Sequence, residues 1–248
     1  MIIGLVTLFA TLFFGGSQQY FFIEKLEKGV KEYVVEKERK KEILIDLKTV
    51  KSTIKGFNKE RKKSLGVYHD LNTNYQSTPE EFETFLFGLS KERIEFQKMV
   101  VNQRLQVVAK ITKEEWEEII GASSNATDKR LNKEAKKKEK DAFEKVKKTI
   151  NTEIEEENIR SKAIEALATV EMDFNKLRIE FSSVNALEND LLVNKDTTTE
   201  DALKLTEELN ELRKNLHKSI LTFHFNMKDL TAETEWTKIM KSMNKVLN

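Results

Sequence analysis

The sequence predicts an all-α protein built of long antiparallel, coiled-coil-like helical hairpins, arranged as a tandem duplication behind an amino-terminal membrane segment. Three observations lead there. The 248 residues include one proline and eight glycines, so the usual punctuation of sheets and tight turns is nearly missing. With 34% of residues charged and 39% hydrophobic, the composition suits long, partly solvated helices better than a thick globular core. Finally, apolar residues recur at steps of three and four over several separate stretches. The expected partition is residues 1–23 as anchor or signal segment, 24–121 as a stalk plus a first hairpin, and 122–248 as a charged linker or stalk helix plus a second hairpin. Each hairpin is followed by a short tryptophan-containing helix.

The amino terminus reads MIIGLVTLFATLFFGG, then a polar Ser17-Gln18-Gln19, then Tyr20-Phe21-Phe22-Ile23 before the first acid at Glu24. Residues 2–23 reach roughly the 20 residues that a helix needs to cross a bilayer, with Tyr20 and Phe21 at the interface. Gly15-Gly16-Ser17 also offers small residues for signal cleavage, although no basic flank precedes the apolar run. The length favours an uncleaved anchor, with the bulk of the protein in the periplasm or otherwise outside the cytoplasmic membrane. The alternative is a protein secreted after cleavage near Ser17.

Past the anchor, EKLEKGVKEYVVEKERKKE carries only a thin apolar stripe at Phe22, Leu26, Val30 and Tyr33, and is read as a stalk continuous with the next helix. From Ile43 the seam becomes regular: Leu47, Val50, Ile54, Phe57, then Leu65 or Ser64, Tyr68, Leu71 and Tyr75. Thr78-Pro79-Glu80-Glu81 starts a new helix by several rules at once: a threonine cap, proline in the first turn, and acids at the positive end of the dipole. Its seam runs Phe82, Phe85, Leu86, Leu89, Phe96, Val100, Arg104 and Val107, which closes a hairpin on the preceding helix. Thr112 caps a short third helix with Glu115 in the capping-box position, and Gly121 is expected to end it.

The same order then returns. A charged segment from Asp128 to Arg160 leads to a seam at Leu167, Val170, Phe174, Leu177, Phe181, Val184 and Leu191. Thr197–Thr199 precede a further seam from Leu205 to Met227, and Thr231 is read as the cap of a helix holding Trp236. Thr78/Thr198 and Trp116/Trp236 stand 120 apart, whereas Phe57-Asn58-Lys59 matches Phe174-Asn175-Lys176 at an offset of 117. A three-residue difference in the hairpin turn reconciles the two. On this reading Trp116 and Trp236 are end plugs, Thr112 and Thr231 their caps, and Phe57 and Phe174 matched core positions.

Chemistry is sparse. No glycine leads into a Gly-Lys-Ser/Thr phosphate loop, and the three histidines, His69, His217 and His224, belong to no HExxH pair. Zero cysteines exclude disulfides and thiol nucleophiles, and 43 basic against 42 acidic residues argue against a nucleic-acid binder. The acid pairs Glu80-Glu81 and Glu117-Glu118 read as caps and solvated faces. The expectation is a non-enzyme with no cofactor, no metal and no small-molecule substrate. One charge run stands out as a basic surface toward anionic lipid or an acidic partner: Lys129, Arg130, Lys133, Lys136, Lys137, Lys138, Lys140, Lys145, Lys147 and Lys148. A solvated helix with (i, i+4) ion pairs is the other reading of it.

Ile111-Thr112-Lys113-Glu114-Glu115 and Leu230-Thr231-Ala232-Glu233-Thr234 resemble the LTxxQ motif of the Spy/CpxP and heavy-metal-sensor group of bacterial periplasmic helical proteins, with Glu115 and Thr234 where the motif has glutamine. The resemblance implies hairpin-built helices, export, and work as an ATP-independent chaperone, stress-signalling adaptor or metal sensor. The sequence-level expectation is therefore a membrane-anchored scaffold of an envelope assembly. It would contact lipid through residues 2–23 and other envelope proteins, or itself, through helical faces; a Spy/CpxP-like chaperone or stress-sensing adaptor is the alternative.

Overall fold

The computed structural model describes residues 26–123 and 143–247. Residues 1–23 and the basic positions 129–140 lie outside them. All secondary structure among the described residues is helical. In chain order the elements are α1 (Leu26–Tyr33), α2 (Lys37–Thr73), α3 (Pro79–Ala109), α4 (Lys113–Ser123), α5 (residues 143–153), α6 (Glu157–Val193), α7 (Thr199–Leu230) and α8 (Glu233–Leu247). None of the described helices is long and apolar enough to cross a membrane.

Helix starts follow local chemistry. Thr78 and Thr198 each make a reciprocal capping box, with Glu81 and Asp201 respectively. Asn74 and Asn194 close the preceding helices, and their Oδ1 atoms accept from the backbone two residues on. One register relates the two halves: α2 and α6 both have 37 residues, and four boundaries in the first half are matched 120 positions later, 37 by 157, 73 by 193, 79 by 199 and 113 by 233. The three-residue turn difference is therefore corrected. Phe57 stands in register with Leu177, and Phe174 with Ile54, so the two phenylalanines are not matched positions.

The stalk is corrected as well. Helix α1 ends at Tyr33, and Leu26, Val30 and Val34 are buried against α4 in place of solvent. The break at residues 34–36 has a cause. The Val35 amide donates to Glu115 Oε1, and the Glu36 carboxylate accepts from the Glu38 and Arg39 amides to cap α2. Close approach of α1 to α4 requires Gly29, since a Cβ there would lie 2.8 Å from the Ile119 side chain. Gly121, expected to end α4, lies inside it, and the helix runs on to Ser123.

Four long helices form the body. Contacts between α2 and α3 run in opposite order along the two: Tyr68 meets Phe82, Phe57 stacks on Phe96, and Asp46 pairs with Lys110. Helices α6 and α7 pack along their length more closely than α2 and α3 do. The two pairs join through α3 and α7, again in opposite order: Phe82 against His224, Arg93 against Asn210, and Val101 against Ala202 and Leu205.

Candidate interaction surfaces

The α3–α7 seam carries buried polar groups at its middle. Arg93 Nε donates to Asn210 Oδ1 at 3.0 Å, Arg213 Nη1 reaches the same oxygen at 3.0 Å, and Asn210 Nδ2 donates to Gln97. Arg93 and Arg213 stand 120 apart and are both buried. Buried cations cost stability unless paired or hydrogen-bonded, and here both arginines meet the Asn210 side-chain oxygen.

At each end of the body, a tryptophan helix from one half closes on the turn of the other. Trp116 is buried, and its Nε1 donates to the carbonyl of Val193 at 2.7 Å, at the carboxyl-terminal end of α6. Beside it, Arg104 Nη2 donates to the carbonyls of Leu191 and Leu192, and its guanidinium lies 5.6 Å from the Trp116 ring. Burial pushes the Arg104 guanidinium down to about 10, still charged at neutral pH, where a cation complements the negative end of the α6 dipole. At the opposite end Trp236 meets Tyr75 and His224 edge-on, and Lys228 donates to the Ser77 carbonyl in the α2–α3 turn. His224 Nδ1 lies 2.9 Å from Asn72 Oδ1, and Asn72 Nδ2 donates to Asn244. Burial, with a lesser contribution from Lys228, holds the His224 imidazole down at about 4.

Of the six structural positions singled out from sequence, Thr112 accepts from the Glu115 amide while Glu115 accepts from the Thr112 amide, a capping box. Thr231 is different. It is the carboxyl-terminal residue closing α7, and its hydroxyl donates back to the Met227 carbonyl at 2.6 Å. The position in register with Thr112 is Ala232, whose amide donates to Glu235. The two windows that carry the LTxxQ resemblance are thus one residue out of structural register. Phe174 is fully buried, whereas Phe57 is half-buried and stacks on Phe96 with ring centroids 3.8 Å apart. Within the basic run, Lys145, Lys147 and Lys148 are exposed on α5, and its other members lie outside the described residues.

Two outward-facing features went unread in the sequence. On α6, Met172, Ile179 and Leu187 share one face, with Met172 and Ile179 each 65% exposed. The register positions on α2 for the first two are the exposed Ser52 and Lys59. Between α2 and α3 lies an open groove of about 740 Å³, floored by Phe57, Phe85 and Phe96. The signal for both was an asymmetry between the halves, visible only once the uniform offset is known. Among the described residues no three histidine, aspartate or glutamate side chains converge as metal ligands. No protein-family model, no curated protein and no solved structure matches the chain.

Proposed function

We propose that the chain is a membrane-anchored, exported scaffold that binds other proteins of a bacterial envelope assembly through its helical faces. Its body is two antiparallel, coiled-coil-like hairpins descended from one by tandem duplication. Support for the duplication comes from the uniform 120-residue register of boundaries, capping boxes, buried tryptophans and the Arg93/Arg213 pair.

The observation that carries the binding role is the α6 face. Met172 and Ile179 project into solvent where the other half keeps Ser52 and Lys59, so α6 carries two exposed apolar positions that α2 fills with polar residues, while Leu187 and its register partner Val67 are both exposed. Exposed apolar groups gathered on one face are the mark of a protein–protein contact. Affinity purification of the full chain from native membranes tests this. It should recover discrete partner proteins, and M172K/I179K should lose them. Recovery of the same proteins by both versions would remove the α6 face from the account.

A Spy/CpxP-like holding chaperone is the competing reading, favoured by apolar side chains exposed on other helices too, Phe87 on α3 at 74% and Val67 on α2 at 50%. It predicts suppression of client aggregation at near-stoichiometric ratios without nucleotide; an unprotected client in that assay removes it.

A further inference from the structure

We propose that the groove between α2 and α3 is the docking site for a cationic amphipathic helix of a partner protein, one with apolar residues on one face and lysine or arginine along its flanks. This deepens the protein-binding reading and rests on it.

The groove exists because of two residues. Phe57 and Phe96 lie face to face, 6° from parallel, and this stack spaces α2 from α3 where the second half has Leu177 and Leu216, both buried between more closely packed helices. Aliphatic side chains interdigitate, whereas two flat rings in a stack hold their backbones apart. The resulting floor is aromatic, and two flexible apolar side chains stay partly wet beside it, Val67 at 50% and Met99 at 42% exposure. From Thr53 to Val67 the α2 wall is about four helical turns, roughly 20 Å at 1.5 Å per residue, the footprint of a short helix.

Charge selects the occupant. Exposed Glu92 and Glu95 line the α3 wall, while Glu60 and Lys63 on the α2 wall are ion-paired with each other, so the net negative charge of the lining comes from the two glutamates of α3. Two carboxylates along one wall of an apolar floor disfavour an acidic helix and favour one with basic flanks on that side. Apolar side chains at positions i, i+3, i+4 and i+7 of that helix would cover the rings.

The test uses the full chain in zwitterionic lipid nanodiscs and a fluorescent 18-residue peptide with leucine on one helical face and lysine elsewhere; a matched peptide carries glutamate for lysine. The expected result is saturable anisotropy with the lysine peptide, at least tenfold weaker with the glutamate peptide. E92K/E95K, two solvent-facing changes that leave the core intact, should weaken the lysine peptide tenfold or more. F57L/F96L, which gives the first half the second half's leucines, should do the same. M172K/I179K should leave binding unchanged, so loss of the α6 face and loss of the groove are separately visible. The proposal is overturned by equal binding of the two peptides, by binding that E92K/E95K does not weaken, or by binding to empty nanodiscs of the same size. Dimerisation abolished by V67K/M99K would assign the groove to a second copy, and peptide binding seen only after deleting residues 1–25 would assign it to the chain's own amino terminus; either outcome overturns the partner assignment.

Discussion

Arg104 and His224 stand 120 positions apart, and each reaches across the body to the carboxyl-terminal end of the long helix in the other half. Arg104 donates to the carbonyls of Leu191 and Leu192, and His224 bonds the side chain of Asn72, the register partner of Leu192. The same position performs the same joining task with different chemistry, a cation on helix carbonyls at one end and an imidazole–amide pair at the other. The two halves are thereby tied at both ends as well as along α3 and α7.

Removing the Arg104 tie should loosen one end selectively. R104M keeps most of the apolar stem but removes the guanidinium donor from the Leu192 carbonyl, while the Leu191 carbonyl keeps the Thr197 hydroxyl, a loss of about 2 kcal/mol for a hydrogen bond to a charged group. Urea denaturation should read that loss, and hydrogen exchange should rise around residues 190–198 while amides near Asn72 keep their protection. Uniform acceleration at both ends would mean that the ends are not independent.

The His224 end predicts a pH dependence. Its folded-state value, about 4, lies below the ordinary 6.5 because burial disfavours the charged ring. Between those values the unfolded chain binds a proton that the folded chain does not, so stability is full above pH 6.5 and falls as pH drops toward 4. The loss is on the order of 3 kcal/mol, from about 1.4 kcal/mol per unit. His69, partly buried and also held low by burial, adds a smaller part in the same direction. Melting temperatures of the parent should fall between pH 7 and 4.5, and H224Q should flatten most of that slope. An equally steep slope in H224Q would refute the assignment.

Trp236 is fully buried between Tyr75 and His224. W236A should cost about 3 to 5 kcal/mol by chemical denaturation, as other buried aromatic truncations do. A loss below 1 kcal/mol would show that the ring bears little of the packing at that end.

Gly29 offers a packing test. G29A places a methyl within 2.8 Å of Ile119 and should cost about 1 to 3 kcal/mol through overpacking. I119A removes the Cγ1 and Cγ2 atoms that the new methyl would meet, so G29A/I119A should cost less than the sum of the two single changes; strict additivity would contradict the contact.

Much of this architecture is written in local patterns. The Thr78 capping box, the seams through Phe82, Leu89, Val100 and Val107, and the large apolar tryptophan side chains could all be read from spacing and composition. What could not be read was who packs against whom. Helical periodicity says which face of α3 is buried, but not that part of it meets α7 while another part meets α2. The α1–α2 break escaped notice because one of its two causes, Glu115 reaching the Val35 amide, lies 80 residues away in sequence, and the other is a glutamate cap at Glu36 where a serine, threonine, aspartate or asparagine is the usual signal. Thr231 misled because threonine caps a helix start and also closes a helix end by bonding the carbonyl four residues back, and the residues alone do not decide between them. The candidate surfaces were hidden for another reason: Ile179 and Met99 fall outside the seams, and a single apolar residue off a seam draws no notice until its exposure and its neighbours are known.

The most direct test of the scaffold account is photo-crosslinking from position 179 in cells that produce the full chain, with exposed Lys218 on α7 as the reference position. The account predicts a discrete adduct with another protein from position 179, absent from position 218 and lost when Met172 is replaced by lysine. Adducts of the same pattern and yield from both positions, or none from position 179, would contradict it.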